Sequence, residues 1–354
     1  MATPVPIASA VDWKGRDTPS DGPVATLVGK GEPTIDRSVT VRCIGDWGHA
    51  NFHRLMAIIT QELTERCGPG SRTCIWSVGG GGMEITDQIA SGFADIAINT
   101  PVKLFQDALT GTRLFEGRPP APHLRAIATI PQNDRMILAL DPALGCKTFQ
   151  DLREKKPKLK IILGPDGESP IGFVCHRYLE AHGVSVETLK SWGGEVVYAN
   201  RPEECLVPCQ DPKLGFNAVI NEALMTPWWT ELIDGPRAFV ILPAEKDALT
   251  TIEKHTGLGA GTIPAGYFKN LKEEIPALEF LDFLLMCRED LSDDVAYLIA
   301  YILVTKKAKI EVNYHNFPKD RSPISWPLDP KEMAKTVFPL HPGAEKFYRE
   351  HGYL

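Results

Sequence analysis

The stretch 73–99, TCIWSVGGGGMEITDQIASGFADIAIN, decides the reading of this chain. Residues 73–78 pattern as a strand, four glycines follow, residues 83–90 pattern as a helix, and Ser91-Gly92 leads into a buried strand over 94–98. The glycines let the backbone reach positive φ and approach a ligand closely. They also deliver the chain into a helix N-terminus, whose free N–H groups suit a small anion better than a polymer. The GxxxxGK[ST] spacing of a nucleotide loop is absent, so nucleotide binding gains no support.

The same strand–helix rhythm extends in both directions. Upstream, SVTVRCIGDW (38–47) runs as a strand into a helix over 50–67, where Leu55, Ile58, Ile59 and Leu63 recur at helical spacing. Downstream, strands over 124–130 and 136–140 precede the turn DPALG, which is expected to cross into a second lobe near 140–145. That lobe takes a helix over 149–154, a strand over 160–163, the loop GPDGESP (164–170), a helix over 171–182 and strands over 195–199 and 215–220. A strand over 238–242 is expected to return to the first lobe. Residues 244–256, a strand over 279–287, a helix over 293–305 and a last short helix complete it. The expectation is an α/β chain with a ligand cleft between two lobes: 1–38 an extended arm, 39–142 with 243–354 lobe I, and 143–242 lobe II.

Composition bounds the partners. With 43% hydrophobic and 23% charged residues the chain should fold around a sizeable core, and a net charge of −7 without Lys/Arg blocks argues against nucleic acid. No apolar run approaches the ~20 residues needed to cross a bilayer. The N-terminal MATPVPIASAVDWKGRDTPSDG lacks the basic-then-apolar order of a secretory signal, and eight cysteines without paired zinc spacing suit a reducing compartment, so a cytoplasmic location is expected. No cofactor is expected. The sequence leaves the oligomeric state open.

Five segments, taken in order, carry a family likeness: GGMEITDQIASGFADIAI; TFQDLREKKPKLKIILG with a helix ending LEAHGV; TIPAGYFKN; FLLMCREDLSDDVAYLIAYIL; and the closing PLHPGAEKFYREHG. Over most of 39–354 the chain resembles the TAXI group of TRAP-transporter solute receptors, a branch of the periplasmic-binding-protein fold. The resemblance implies a type II two-lobed fold closing on a small organic anion, often a dicarboxylate or amino acid. Departures from that pattern are informative. Where the family shows GGSxEN, Gly82 and Ile85 replace a hydroxyl and an amide while Glu84 stays. Where it shows a GGTYYP-like turn, this chain reads GDWGHANFHRL, and its small GSGT-like loop becomes GPDGESP.

These departures concentrate ionisable groups at the expected cleft. His49 and His53 are four apart and share a face if one helix holds both, with Asp46 placed to orient one of them. Together with Glu84 they form the expected catalytic set. A metal ion would need a third ligand from Glu84, Asp166 or Glu168. Expected ligand contacts are Trp47, Asn51, Phe52, Gly80, Gly81, Gly82, Asp166, Glu168, Ser169, Asn217 and Glu222, with Ser169 capping and Pro170 opening a helix. The Trp228-Trp229 pair and His341 pattern as structural. The principal expectation is an intracellular enzyme on a binding-protein scaffold that decarboxylates, eliminates from or moves a proton on a small carboxylic acid. The alternative is a non-catalytic TAXI-like receptor, carrier or sensor.

Overall fold

The computed structural model describes residues 28–45, 51–78, 82–166 and 169–354. In chain order its strands are β1 Thr40–Ile44, β2 Arg72–Trp76, β3 Ile96–Asn99, β4 Leu124–Ile130, β5 Arg135–Leu140, β6 Lys160–Leu163, β7 Glu195–Tyr198, β8 Ala218–Asn221, β9 Val240–Ile241, β10 Ala260–Ile263, β11 Ile275–Glu279 and β12 Phe283–Arg288. They form two sheets. In the first, β1 is parallel to β2 and β3, and β12 enters antiparallel between β3 and β4, giving the order β2-β1-β3-β12-β4.

The second sheet repeats the plan. There β6 is parallel to β7 and β8, and β5 enters antiparallel beside β8 in the order β10-β11-β5-β8-β6-β7, with β9 paired to β5. Each lobe is thus a parallel trio with one antiparallel strand delivered from the other lobe, the two-lobed type II periplasmic-binding-protein arrangement. Strands β3 and β8 are buried along their whole length because helices cover both faces, which is why they read as continuous apolar runs rather than alternating ones.

By sheet membership the lobe boundaries differ from the expected ones. The chain crosses over at 131–134, between β4 and β5, and returns at 280–282, between β11 and β12. The turn after β5 is a short helical turn capped by Asp141, with Gly145 at φ 66°, and it stays within the second lobe. Strand β9 pairs with β5 and so does not return to the first lobe. The helix Lys246–Thr256 also belongs to the second lobe, where Glu245 at its N-cap is held bidentately by Arg153 at 2.8 Å. The single strand expected over 279–287 is in fact two strands in different sheets. Hydrophobic periodicity reports that a strand is buried but carries no information about which neighbour buries it.

The two crossovers lie side by side and are stitched together. Phe280 N–H donates to Asp134 O at 3.1 Å, Asp282 N–H to Gln132 O at 3.2 Å, and Gln132 N–H to the Asp282 carboxylate at 2.9 Å. This double strap is the hinge. The closing PLHPG segment is structural, as expected: buried His341 caps the helix Pro342–Glu350 by accepting the Gly343 N–H on Nδ1 at 3.2 Å. Gly343 must be glycine, since a Cβ there would stand 2.0 Å from Asp293 O.

Candidate functional site

Between the sheets lies a cavity of about 980 Å³. Its position follows from topology. Strands β1, β2, β6, β7 and β8 all end toward it, and each is followed by a helix whose first turn lines it: Asn51–Arg66, Gly82–Ala90, Pro170–Ala181, Pro202–Gln210 and Pro227–Asp234. Helix N-termini carry partial positive charge on unpaired N–H groups. Convergence of several such ends makes the cavity wall electropositive at the backbone before any side chain is counted.

The side chains add an apolar wall and a mixed set of charges. Phe52, Met83, Ile171, Met225, Trp228 and Phe283 supply the wall, and Phe52 meets Phe283 edge-on at 5.0 Å between centroids. Arg54 and Arg118 are the lining cations among the described residues, and Glu84, Asp87, Asp166, Glu203 and Glu222 the lining acids. Asp87 is already neutralised by an ion pair with Arg118. Glu84 accepts from Gln88 Nε2 at 3.0 Å. Arg54 donates to Asn51 Oδ1 at 3.3 Å, and the Tyr314 hydroxyl donates to the same oxygen at 2.9 Å, so the start of the first helix is braced from behind.

Glu222 sits at the hinge with its backbone pinned on both sides. Its N–H donates to Asn221 Oδ1 at 2.8 Å, and its carbonyl accepts the indole N–H of fully buried Trp229 at 2.8 Å. Behind it, Asp134 is wholly buried and accepts three backbone N–H bonds, from Ala223 and Leu224 at 2.8 Å and Arg135 at 2.7 Å. Ala223 adopts φ 62°, a left-handed conformation that turns successive N–H groups onto one carboxylate. Burial pushes the Asp134 carboxyl up, while a hydrogen bond with the Glu222 side chain and the three N–H donors pull it back.

Of the residues expected from sequence, Asn51, Phe52, Gly82, Glu84, Asp166, Ser169 and Glu222 line this cavity together. Asp46, Trp47, His49, Gly80, Gly81 and Glu168 lie outside the described residues. His53 does not line the cavity. It is half-buried with an unpartnered Nδ1, and its backbone lies so close to Gly45 that a Cβ there would stand 3.0 Å away. Of the expected catalytic set, the described part therefore contributes only Glu84 to the cavity. Asn217 is a correction: its side chain accepts the Lys160 N–H at 2.8 Å and donates to Lys158 O at 3.2 Å, tying β8 to β6 away from the cavity. Among the described residues no group of three or more His, Cys, Asp or Glu is placed to hold a metal ion.

Several lining positions escaped the sequence reading, among them Arg54, Asp87, Arg118, Glu203 and Trp228, the last expected in the core; Asn99 and Thr226 escaped it too, though each carried a signal. Asn99 ends the apolar strand AIAIN, and a polar residue closing a buried strand was the available signal. Thr226 precedes Pro227 as Ser169 precedes Pro170, a repeated cap-proline pair at helix starts. Ser169 caps its helix by accepting the Gly172 N–H at 3.4 Å, whereas Thr226 makes no such bond and its buried Oγ1 has no protein partner.

The model of the NMT1-like family matches residues 54–352. No curated protein matches. Solved structures similar to this chain include a periplasmic transporter, at 13% identity and a TM-score of 0.49 over 89% of this chain and 95% of that one. PhnD1 from Prochlorococcus marinus in complex with methylphosphonate is similar at 12% identity and 0.49, over 90% and 100%. MatC from Rhodopseudomonas palustris with bound malate is similar at 11% and 0.48, over 89% and 98%.

Proposed function

Because the chain belongs to the NMT1-like family, we propose that it is a non-catalytic solute-binding protein whose two lobes close over a small organic acid. The observation that carries this reading is the convergence of five helix first turns on one cavity of about 980 Å³. An anion at a partly buried helix N-terminus is stabilised by roughly 0.3–2 kcal/mol per helix. Glu84 and Glu203 lie in two of those first turns and screen their own helix ends, which leaves the helices starting at Asn51, Pro170 and Pro227 as the better anchors. The apolar wall of Phe52, Met83, Trp228 and Phe283 favours a ligand with an acid head and an apolar body over a fully hydrated inorganic anion.

Within that family we place the chain with the TAXI receptors, supported by the order of the TIPAGYFKN, FLLMCREDLSDD and PLHPGAEKFYREHG segments. Binding is favoured over turnover because the expected proton-moving pair does not reach the cavity in its described part, His53 packing beside Gly45 instead. The test is a panel of mono- and dicarboxylic acids, followed by melting temperature, calorimetry and one-dimensional NMR of the acid. One or more acids should raise the melting temperature, bind with one-to-one stoichiometry and persist unchanged for hours. Conversion of the bound acid, or stabilisation by amines and neutral sugars but by no acid, refutes the proposal.

A further inference from the structure

We propose that Arg321 is a positioning residue for ligand binding: from a strap rooted in the first lobe it clasps the second lobe and favours the shut arrangement of the cleft. The inference rests on the reading of the cleft as a solute site that closes, and names what holds it closed.

The strap is residues 314–327. It is sunk in the first lobe, since Tyr314, Ile324 and the adjoining Leu328 are buried in one apolar cluster with residues of β1, β3 and β12. At its start the Tyr314 hydroxyl donates to Asn51 Oδ1 at 2.9 Å. At its end the Leu328 N–H donates to Glu311 Oε1 at 2.7 Å, and the Leu328 carbonyl accepts from Lys307 Nζ at 2.6 Å. Ser325 N–H donates to Pro131 O at 2.8 Å, which sets the strap against the first crossover. Between these anchors Arg321 reaches out of its own lobe. It donates from Nη1 to Tyr267 O at 2.5 Å and from Nη2 to Gly266 O at 3.2 Å, and its guanidinium lies 4.8 Å from the centre of the Tyr267 ring.

The partner is a well-braced turn of the second lobe, joining β10 to β11. Within it Gly266 N–H donates to Leu271 O at 2.8 Å and Tyr267 N–H to Pro264 O at 3.1 Å, while Tyr267 and Phe268 are buried in a second-lobe cluster. The Lys269 and Asn270 N–H groups both donate to the Asp234 carboxylate at 2.9 Å, tying the turn to the helix Pro227–Asp234 whose first turn lines the cavity. The contact is separate from the hinge: β11, at ~3.3 Å per residue, puts about 13 Å between the base of this turn and the second crossover.

Neither end of the clasp is free to follow a rotation of the other lobe, so its bonds hold at one lobe angle. That angle is the shut one, because Gly82 of the first lobe stands against Pro170 of the second, with a Cβ on Gly82 only 3.1 Å from Pro170 Cγ. Hydrogen bonds from a charged donor are among the stronger ones, and bonds made in one arrangement but not the other bias the balance between them. Pro323 of the strap lines the cavity and Arg321 does not. The clasp therefore acts on a ligand through closure rather than by touching it.

The test begins with small-angle X-ray scattering of the ligand-free wild type, Arg321→Ala and Arg321→Lys. In R321A the radius of gyration should exceed the wild-type value by about 0.5–1 Å, against the ~20 Å of a compact chain of this length. R321K keeps the charge but not the fork or the stacked plane, and should fall between. The acid panel is then titrated into wild type and R321A. Affinity for every acid that binds should fall by the same factor, up to about tenfold (about 1.4 kcal/mol), with the ratios between acids unchanged. R321A scattering that superimposes on wild type overturns the proposal. So does a change in the ratios, which would put Arg321 in contact with the ligand. If R321A fails to fold, R321K and Tyr267→Leu carry the scattering test, and no widening in either overturns the clasp. If no acid binds, the acid-binding reading fails, while the scattering result still decides this one.

Discussion

Replacing Gly82 with alanine adds one methyl group at the meeting point of the two lobes, and its cost can be worked from the structure. A Cβ at Gly82 would stand 2.2 Å from Phe105 Cζ, 2.7 Å from Phe105 Cε1 and 3.1 Å from Pro170 Cγ. Phe105 cannot swing aside, because it is fully buried and set edge-on against Phe115 at 6.2 Å. Forcing a methylene-sized group into such a core costs about 1–3 kcal/mol. The gain from replacing glycine at a helix position offsets at most about 1 kcal/mol. The net destabilisation is then about 1–2 kcal/mol, a fall of about 1–3 °C in melting temperature for a chain of this size. Since Pro170 belongs to the opposite lobe, the methyl also opposes closure, and affinity for any acid that raises the wild-type melting temperature should drop. The assay is thermal and urea unfolding of wild type, G82A, F105L and the double variant. Phe105→Leu vacates the space the methyl needs, so the G82A penalty should largely vanish in that background. A G82A protein as stable as wild type, or a penalty unchanged by F105L, would refute the packing argument.

Two further outcomes follow from burial. His182 donates from Nδ1 to Tyr178 O at 2.7 Å, accepts the Glu245 N–H on Nε2 at 3.1 Å and stacks on Phe149 at 3.9 Å; burial drives its pKa down to about 4. The unfolded chain takes up this proton near pH 6.5 and the folded one only near 4, so the neutral ring's contribution is complete above about pH 6.5 and lost as pH falls through that window, by about 3 kcal/mol. Urea unfolding across pH 7 to 4 should show this decline, and a His182→Gln variant should show a shallower one; equal slopes would remove His182 as its source. All eight cysteines are free, and six are buried, leaving Cys67 and Cys74 partly accessible. Burial raises the Cys67 thiol, so a thiol reagent should modify Cys74 first, Cys67 slowly, and the rest only on unfolding. Rapid native labelling of Cys205 or Cys209 would contradict the packing of the second lobe.

Much of this was legible in the sequence because it rests on local physics. Glycine runs, apolar strands and cap-proline pairs mark strand ends and helix starts, and once the order of elements is read, helix N-termini must gather at the carboxyl ends of the parallel strands. Gly82 and Ser169 were found that way, Glu84 and Glu222 through the family resemblance, and all four line the cavity. Where reading failed, the deciding interactions were between residues far apart in the chain. Asn217 is polar and near a strand end like Glu222, yet it ties β8 to Lys158 and Lys160 instead of facing the cavity. The boundary near 140–145 was misplaced because β5 looks the same from sequence whichever sheet receives it; its pairing with β8, β9 and β11 moves it into the second lobe.

The sequence by itself determined most of the element types and the two-lobed plan, since propensity, capping and hydrophobic period act within a few residues of chain. Only the tertiary structure decided which strand crosses between lobes and that Asn99, closing a buried strand, lines the cavity. It also decided that Gly82 has no room for a larger side chain, because Phe105 and Pro170 occupy that space. The physical reason is the same in each case: a residue's partners are set by what packs against it, and packing partners here are tens to hundreds of positions away in the chain.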